Sequence, residues 1–160
     1  MGGNASGDVP TLFYSRRVGL DDGVPIPIIG GGRVTGRAAG FEIGAIQIRT
    51  DGVSERLRPT DFTAVRIKRD ILGKSSLGVA ATRRSEVPGR RTAGLTYGAD
   101  ARLAFGKNLT ADGYWAATER EGSGGDRRSY RAQLNYNADR YGLQAERLQV
   151  GADFNPETGF

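Results

Sequence analysis

An apolar residue recurs at every second position in Ala93–Phe105, AGLTYGADARLAF. Because alternate side chains of an extended chain point to opposite faces, this stretch predicts a two-faced β-strand. One face would collect Leu95, Tyr97, Leu103 and Phe105 among alanines. The other would carry Thr96, Asp100 and Arg102.

The same alternation returns in Thr63–Ile71, Leu109–Ala117 and Tyr130–Ala138. Strands of water-soluble proteins typically have about 5–6 residues, whereas a tilted strand that crosses a membrane needs about 9–11. Several of these segments reach the longer figure. The pattern therefore indicates strands with one face suited to lipid and the other to a wet interior.

The chain has 160 residues, with 25 Gly, one Met and one Trp. No segment repeats apolar residues with the helical spacing over a useful distance. We therefore predict an all-β fold, namely an antiparallel up-and-down meander that is a fragment of a transmembrane, outer-membrane type β-barrel. Residues 1–160 would form a single barrel-domain fragment.

Nine strands are predicted, separated by connections that are alternately short and long. The short ones are expected near residues 39–40, 73–74, 107–108 and 139–140, and this alternation is typical of a transmembrane barrel. The predicted strands are Leu12–Gly19, Gly32–Ala38, Phe41–Arg49, Phe62–Ile71, Ser75–Arg84, Thr92–Phe105, Leu109–Thr118, Arg128–Ala138 and Tyr141–Val150.

The overall composition looks like that of a soluble protein, with 26% charged residues and a mean hydropathy of -0.45. A barrel strand shows only half of its residues to lipid, so this average does not exclude a barrel. The net charge is +5. Basic residues alternate with acidic ones or gather in expected loops such as Arg90-Arg91, without the interleaved aromatics that stack on bases, so no nucleic-acid partner is predicted.

Most tools of enzyme chemistry are missing, because the chain has no Cys and no His. Cysteine nucleophiles, thiolate metal sites and the commonest general base are therefore excluded, and we predict a non-catalytic protein without metal or cofactor. Asp100 and Asp112 could be imagined as paired carboxylates for glycoside hydrolysis. With Arg102 beside them, a ladder of ion pairs is the preferred interpretation.

Two glycine motifs resemble phosphate-binding loops. Gly30-Gly31-Gly32 lacks the required spacing and a following helix, so we expect a loop that enters a strand. Gly73-Lys74-Ser75 ends like a P-loop, but Lys68 stands where the first glycine is needed. A hairpin turn with Gly73 at positive φ is predicted instead.

The candidate functional residues are the charges on the predicted polar faces, which would face the lumen. They could set the selectivity of a pore, hold a plug, or neutralise one another across strands. The set is Arg66, Lys68, Asp70, Asp100, Arg102, Asp112, Arg131 and Glu146. Aromatics near strand ends on the lipid face would form a membrane-interface belt, and the candidates are Tyr97, Trp115, Tyr136 and Tyr141. Trp115 and Tyr136 are expected nearer the middle of their strands.

Several motifs together resemble the C-terminal β-barrel region of DUF5916, a large family of uncharacterised bacterial proteins. The resemblance covers nearly the whole chain. It is carried by Leu12–Gly19, Pro27–Arg37, Phe41–Gly44, Val65–Ile71, Tyr136–Gly142 and Asp153–Phe160.

Members of that family usually carry an N-terminal domain similar to family 9 carbohydrate-binding modules. The resemblance thus implies the bacterial outer membrane, a lipid-bilayer partner and a link to carbohydrate through an upstream domain. Neither that domain nor a signal peptide is recognisable here, since residues 1–8 have no charged-then-apolar pattern, and we expect both to lie upstream of a truncated chain.

Two alternatives remain open. A soluble β-barrel or sandwich that binds a ligand would turn the apolar face inward and leave the charged faces in water. The chain could also be a non-catalytic part of a carbohydrate-binding or glycoside-hydrolysing parent protein. The orientation of the apolar side chains, outward or inward, separates the membrane barrel from the soluble one. The residues that decide are Leu95, Tyr97, Leu103, Leu134 and Tyr136.

Overall fold

A computed structural model describes residues 20–21, 24–52, 58–86, 94–119 and 125–156. The regular elements in these residues are ten β-strands. They are β1 Leu20–Asp21, β2 Val24–Pro25, β3 Ile28–Ala38, β4 Phe41–Thr50, β5 Thr60–Ile71, β6 Ser75–Glu86, β7 Leu95–Phe105, β8 Leu109–Glu119, β9 Arg128–Asn137 and β10 Gly142–Val150. In this part of the chain, no helix has the length and apolar character to cross a membrane.

Strands β3 to β10 form one antiparallel sheet in which every strand pairs with its neighbour in sequence. β3 and β10 are the two edges, so the sheet is open rather than closed. β1 and β2 pair with each other in a separate two-stranded sheet. The predicted all-β antiparallel meander is confirmed, and the strands of the large sheet have 9 to 12 residues.

Three of the four short connections between strands of the large sheet are tight turns built on positive φ angles, namely the two-residue turn at 39–40 and the three-residue turns at 72–74 and 106–108. Ala39 and Gly40 have φ of 50° and 79°, Leu72 and Gly73 have 47° and 71°, and Gly106 has 63°. Positive φ at the centre of a two-residue hairpin matches the right-handed twist of the flanking strands. The hairpin turn predicted at Gly73 is confirmed, as is the alternation with longer connections at 51–59, 87–94 and 120–127.

Most predicted strands are present with bounds that differ by a few residues, but the glycine run near the start is different. The prediction for Leu12–Gly19 lies outside the described residues. Gly30–Gly32, expected as a loop, belongs to β3, and the expectation was wrong. A Cβ on Gly31 would lie 2.6 Å from the Gln47 backbone oxygen of β4, so glycine serves close strand approach here.

Successive hairpins are staggered along the strand direction. Phe41, beside the first short turn, pairs with Arg69, and β5 continues two residues further to Ile71. Ser76, the second residue of β6, pairs with Arg102, and β7 continues three residues further to its end. The tips of the first three hairpins therefore step by two residues each. Between the third hairpin and the fourth the step is one residue.

Candidate functional site

The strand register divides the large sheet into two chemically different faces. Ile67, Val79, Ala99, Trp115 and Tyr130 lie opposite one another on successive strands and define what we call the apolar face. The next row, one residue along each strand, points to the opposite side of the sheet. We call that side the charged face, because the predicted charged residues lie on it. That row consists of Arg66, Ala80, Gly98, Ala116 and Ser129.

Exposure on the central strand β6 is the reverse of that in a water-soluble core. Leu77 and Val79 on the apolar face are 47% and 52% exposed. Thr82 on the charged face is only 4% exposed. The exposure of Leu77 and Val79 is not an edge effect, because β6 has a neighbouring strand on each side. Apolar side chains in the middle of this sheet are therefore exposed, while a polar side chain on the opposite face of the same strand is buried.

Most other large apolar residues of the apolar face are also exposed or half-buried. Of the five residues that were to decide orientation, Leu134 and Tyr136 are exposed, and Leu95, Tyr97 and Leu103 are half-buried. None is packed into a core. The exposed large apolar residues of this face are Val34, Ile43, Val65, Leu77, Val79, Phe105, Trp115, Leu134, Tyr136 and Leu143.

Small and mostly polar side chains are buried on the charged face, in the half of the sheet nearer the long connections. Ser129 is fully buried, and its Oγ lies 3.0 Å from the Tyr114 hydroxyl. The Thr50 hydroxyl donates to the Thr60 carbonyl at 3.3 Å. The buried members of this group are Thr50, Thr60, Ala64, Thr82, Thr96, Ala116, Thr118 and Ser129.

The eight candidate charged residues all lie on the charged face, where all but Arg102 fall into two groups of ion pairs. In the first, Arg66 pairs with Asp100 at 2.8 Å, and Lys68 pairs with Asp70 at 3.2 Å. The contact between Arg37 and Glu42 joins the same side of the sheet. The positions that the structure brings onto one face are Arg66, Lys68, Asp70, Asp100, Arg102, Asp112, Arg131 and Glu146.

Arg131 is the centre of the second group, on β8 to β10. Its Nε donates to Glu146 Oε1 at 2.6 Å, and Nη1 lies 3.9 Å from Asp112 Oδ2. It also contacts Gln133, whose amide nitrogen donates to Asn135. The Arg131 side chain is 16% exposed, the lowest value among these ion-pair partners. This network crosses three strands on one face.

The ion-pair partners differ from those suggested by sequence spacing. Asp100 and Asp112 were expected to form a ladder around Arg102, but Asp100 pairs with Arg66 and Asp112 approaches Arg131. Arg66 lies on β5, two strands away from Asp100, and Arg131 lies on β9, the strand that follows Asp112 in the chain. Only the cross-strand register, which the sequence does not display, could have identified them.

Polar contacts on the apolar face concentrate toward the long connections. The Tyr97 hydroxyl donates to Glu119 Oε1 at 3.0 Å, and the Tyr130 hydroxyl donates to Gln149 Oε1 at 2.7 Å. Arg49 makes two hydrogen bonds of 2.9 Å to the Asp61 carboxylate. These residues give the apolar face a polar margin at one end.

No family model, curated protein or solved structure matches the chain. The resemblance to DUF5916 therefore stays a prediction.

Proposed function

We propose that this chain is a segment of an outer-membrane type β-barrel, with its apolar face toward lipid and its charged face toward the barrel interior. The segment would serve passage or anchoring and would not be catalytic. The observation that carries the proposal is the exposure of Leu77 and Val79 on a central strand whose opposite face buries Thr82.

The energetics of the apolar face favour a lipid partner. Apolar surface left in water costs about 25 cal/mol per Å² relative to burial, and monomeric soluble proteins rarely expose apolar patches larger than a few hundred Å². Here the exposed apolar residues continue across strands β3 to β10. Contact with hydrocarbon removes this cost, and strands of 9 to 12 residues are long enough to cross the bilayer.

The charged face supports an interior that is wet and electrically balanced. Four of its cations, Arg37, Arg66, Lys68 and Arg131, form ion pairs with carboxylates of the same face, so a large part of the charge that would face the lumen is compensated. Such a lining tolerates water and can tune the passage of ions or hold a plug. The link to carbohydrate rests on the family resemblance alone.

Adjacent residues on β6 test the proposal, since the chain has no cysteine of its own. Ser76→Cys places one thiol on the charged face and Leu77→Cys places one on the apolar face. The full chain is refolded into phosphatidylcholine vesicles and treated with a charged, water-soluble maleimide. We expect Ser76→Cys to react and Leu77→Cys to be protected.

Two results would overturn the proposal. In one, the thiol of Leu77→Cys in vesicles reacts as fast as that of Ser76→Cys. In the other, it is protected in aqueous buffer without any lipid, which would place Leu77 inside a soluble core.

A further inference from the structure

Six aromatic residues of the described strands lie on the apolar face, and they form two rows. The first row contains Tyr97 on β7, Trp115 on β8 and Tyr130 on β9. Trp115 pairs directly with Tyr130, and the rings of Tyr97 and Trp115 have centroids 6.0 Å apart. The three rings form a continuous line across neighbouring strands.

The two tyrosines of the first row combine apolar rings with hydrogen-bonded hydroxyl groups. The hydroxyls of Tyr97 and Tyr130 donate to Glu119 and Gln149. An aromatic ring with an apolar body and a hydrogen-bonded tip suits the boundary between hydrocarbon and headgroups. Charges of the apolar face also lie beyond this row, toward the long connections. They are Arg49, Asp61, Arg83, Glu119 and Arg128.

The second row lies beside the short turns. Phe41 is the first residue of β4, Phe105 is the last of β7, and Tyr136 is the last but one of β9. Phe105 and Tyr136 both lie opposite Leu109 of β8, so they share one level of the sheet. The expectation that Tyr136 lies near the middle of its strand was wrong.

Small and aliphatic residues fill the apolar face between the rows. On β7 they are Ala99, Ala101 and Leu103, and on β9 they are Ala132 and Leu134. Tyr97 and Phe105 are eight residues apart on the same strand, which corresponds to about 27 Å along it. This distance exceeds the bilayer's apolar band of about 25 Å unless the strands are tilted.

The hairpin stagger supplies that tilt. Between the first three hairpins, a step of two residues, about 6.8 Å, accumulates over two strands, about 9.6 Å, so turns at one level require strands inclined by about 35°; the one-residue step to the fourth hairpin corresponds to about 20°. Transmembrane barrels tilt their strands by about 35–45°. Projected at this angle, the two aromatic rows on β7 are about 22 Å apart, close to the height of a bilayer-spanning band.

Two arginines of the apolar face lie outside the polar margin, and both stack on aromatic rings. The Arg69 guanidinium lies 4.8 Å from the Phe41 ring centroid, and that of Arg147 lies 5.9 Å from the Tyr130 centroid. Each arginine thus accompanies one of the two aromatic rows. Long side chains at such positions can carry their charge toward the headgroups.

From these observations we infer that the two rows mark the two headgroup boundaries of the bilayer, on strands inclined by about 35°. Tyr97, Trp115 and Tyr130 mark the boundary nearer the long connections, and Phe41, Phe105 and Tyr136 mark the one nearer the short turns. This inference rests on the proposed function and adds the depth of each residue in the membrane.

Trp115 is the single tryptophan of the chain and reports its own depth without any substitution. The full chain is refolded into phosphatidylcholine vesicles whose acyl chains carry bromine close to the headgroup or close to the chain end. We expect bromine near the headgroup to quench Trp115 fluorescence at least twice as strongly as bromine near the chain end.

A matched variant provides the deep reference. Leu134→Trp in a Trp115→Phe background places the only indole between the two aromatic rows on β9, where the native side chain is 41% exposed. We expect the opposite order of quenching in this variant. Equal depth of the two indoles, or a deeper Trp115, would overturn the inference while leaving the lipid-facing orientation intact. Absence of quenching in both proteins would overturn the proposed function itself.

Discussion

The guanidinium of Arg66 on β5 reaches the carboxylate of Asp100 on β7 across the whole width of β6, directly over Gly78. The nitrogen–oxygen distance is 2.8 Å. A Cβ on Gly78 would lie 2.8 Å from both Asp100 carboxylate oxygens and 2.9 Å from Arg66 Nη2. The missing side chain is therefore what lets two strands that are not neighbours exchange an ion pair.

Replacement of Gly78 by valine should separate this pair. We expect Gly78→Val to lower the free energy of unfolding by up to about 1 kcal/mol, because the new side chain overlaps the ends of both partners and displaces a partly exposed ion pair. Gly36→Val is the control, since nothing lies within 4 Å of a Cβ at Gly36. Denaturant titration of the refolded chain measures both variants. Equal effects of the two substitutions would show that the space over Gly78 is unimportant.

Loss of Arg131 should be more costly than loss of Arg66. Arg131 is 16% exposed and serves two carboxylates, whereas Arg66 is 49% exposed and serves one. We expect Arg131→Met to destabilise the fold by about 2–3 kcal/mol, since it leaves Asp112 and Glu146 half-buried without their partner. For Arg66→Met we expect less than about 1 kcal/mol. The reverse order in the same titration would contradict this account of the network.

The hydroxyl of Ser75 supports the stagger between the second and third hairpins. It accepts a hydrogen bond of 3.0 Å from the Ala104 backbone N–H, and Ser75 is 3% exposed. Ser75→Ala should cost about 1 kcal/mol, because that N–H loses its partner. Ser76→Ala makes the same chemical change one residue along and should stay within about 0.5 kcal/mol of the native chain. Amide exchange at Ala104 should rise only in Ser75→Ala.

Much of the fold is readable from the sequence because alternation fixes the face of each residue without knowledge of the partner strand. Period-two patterns in Val65–Ile71 and Leu95–Phe105 are enough to assign Arg66, Asp100 and their neighbours to one face, and the register agrees. Glycine beside a polar residue similarly marks the turn at Gly73.

What the sequence hides is the register, and with it the partners. Asp100 lies near Arg102 in sequence, yet its ion pair is with Arg66, because β6 places Gly78 between them. Glycine was also ambiguous at Gly30–Gly32, since a residue that weakens strands in general can also permit close approach of two backbones. Both errors arise from contacts between strands, which the residue types of one segment do not show.

The most direct test of the membrane orientation is a nitroxide scan of residues 76–82 on β6, with one cysteine introduced at a time and the full chain in phosphatidylcholine vesicles. We expect accessibility to oxygen, which concentrates in lipid, to peak at 77, 79 and 81. Accessibility to a water-soluble nickel complex should be greater at 76 and 80, the half-buried positions of the charged face. A period-two pattern of the opposite phase, with 77 and 79 shielded from both reagents, would contradict the proposal and place the apolar face inside a soluble protein.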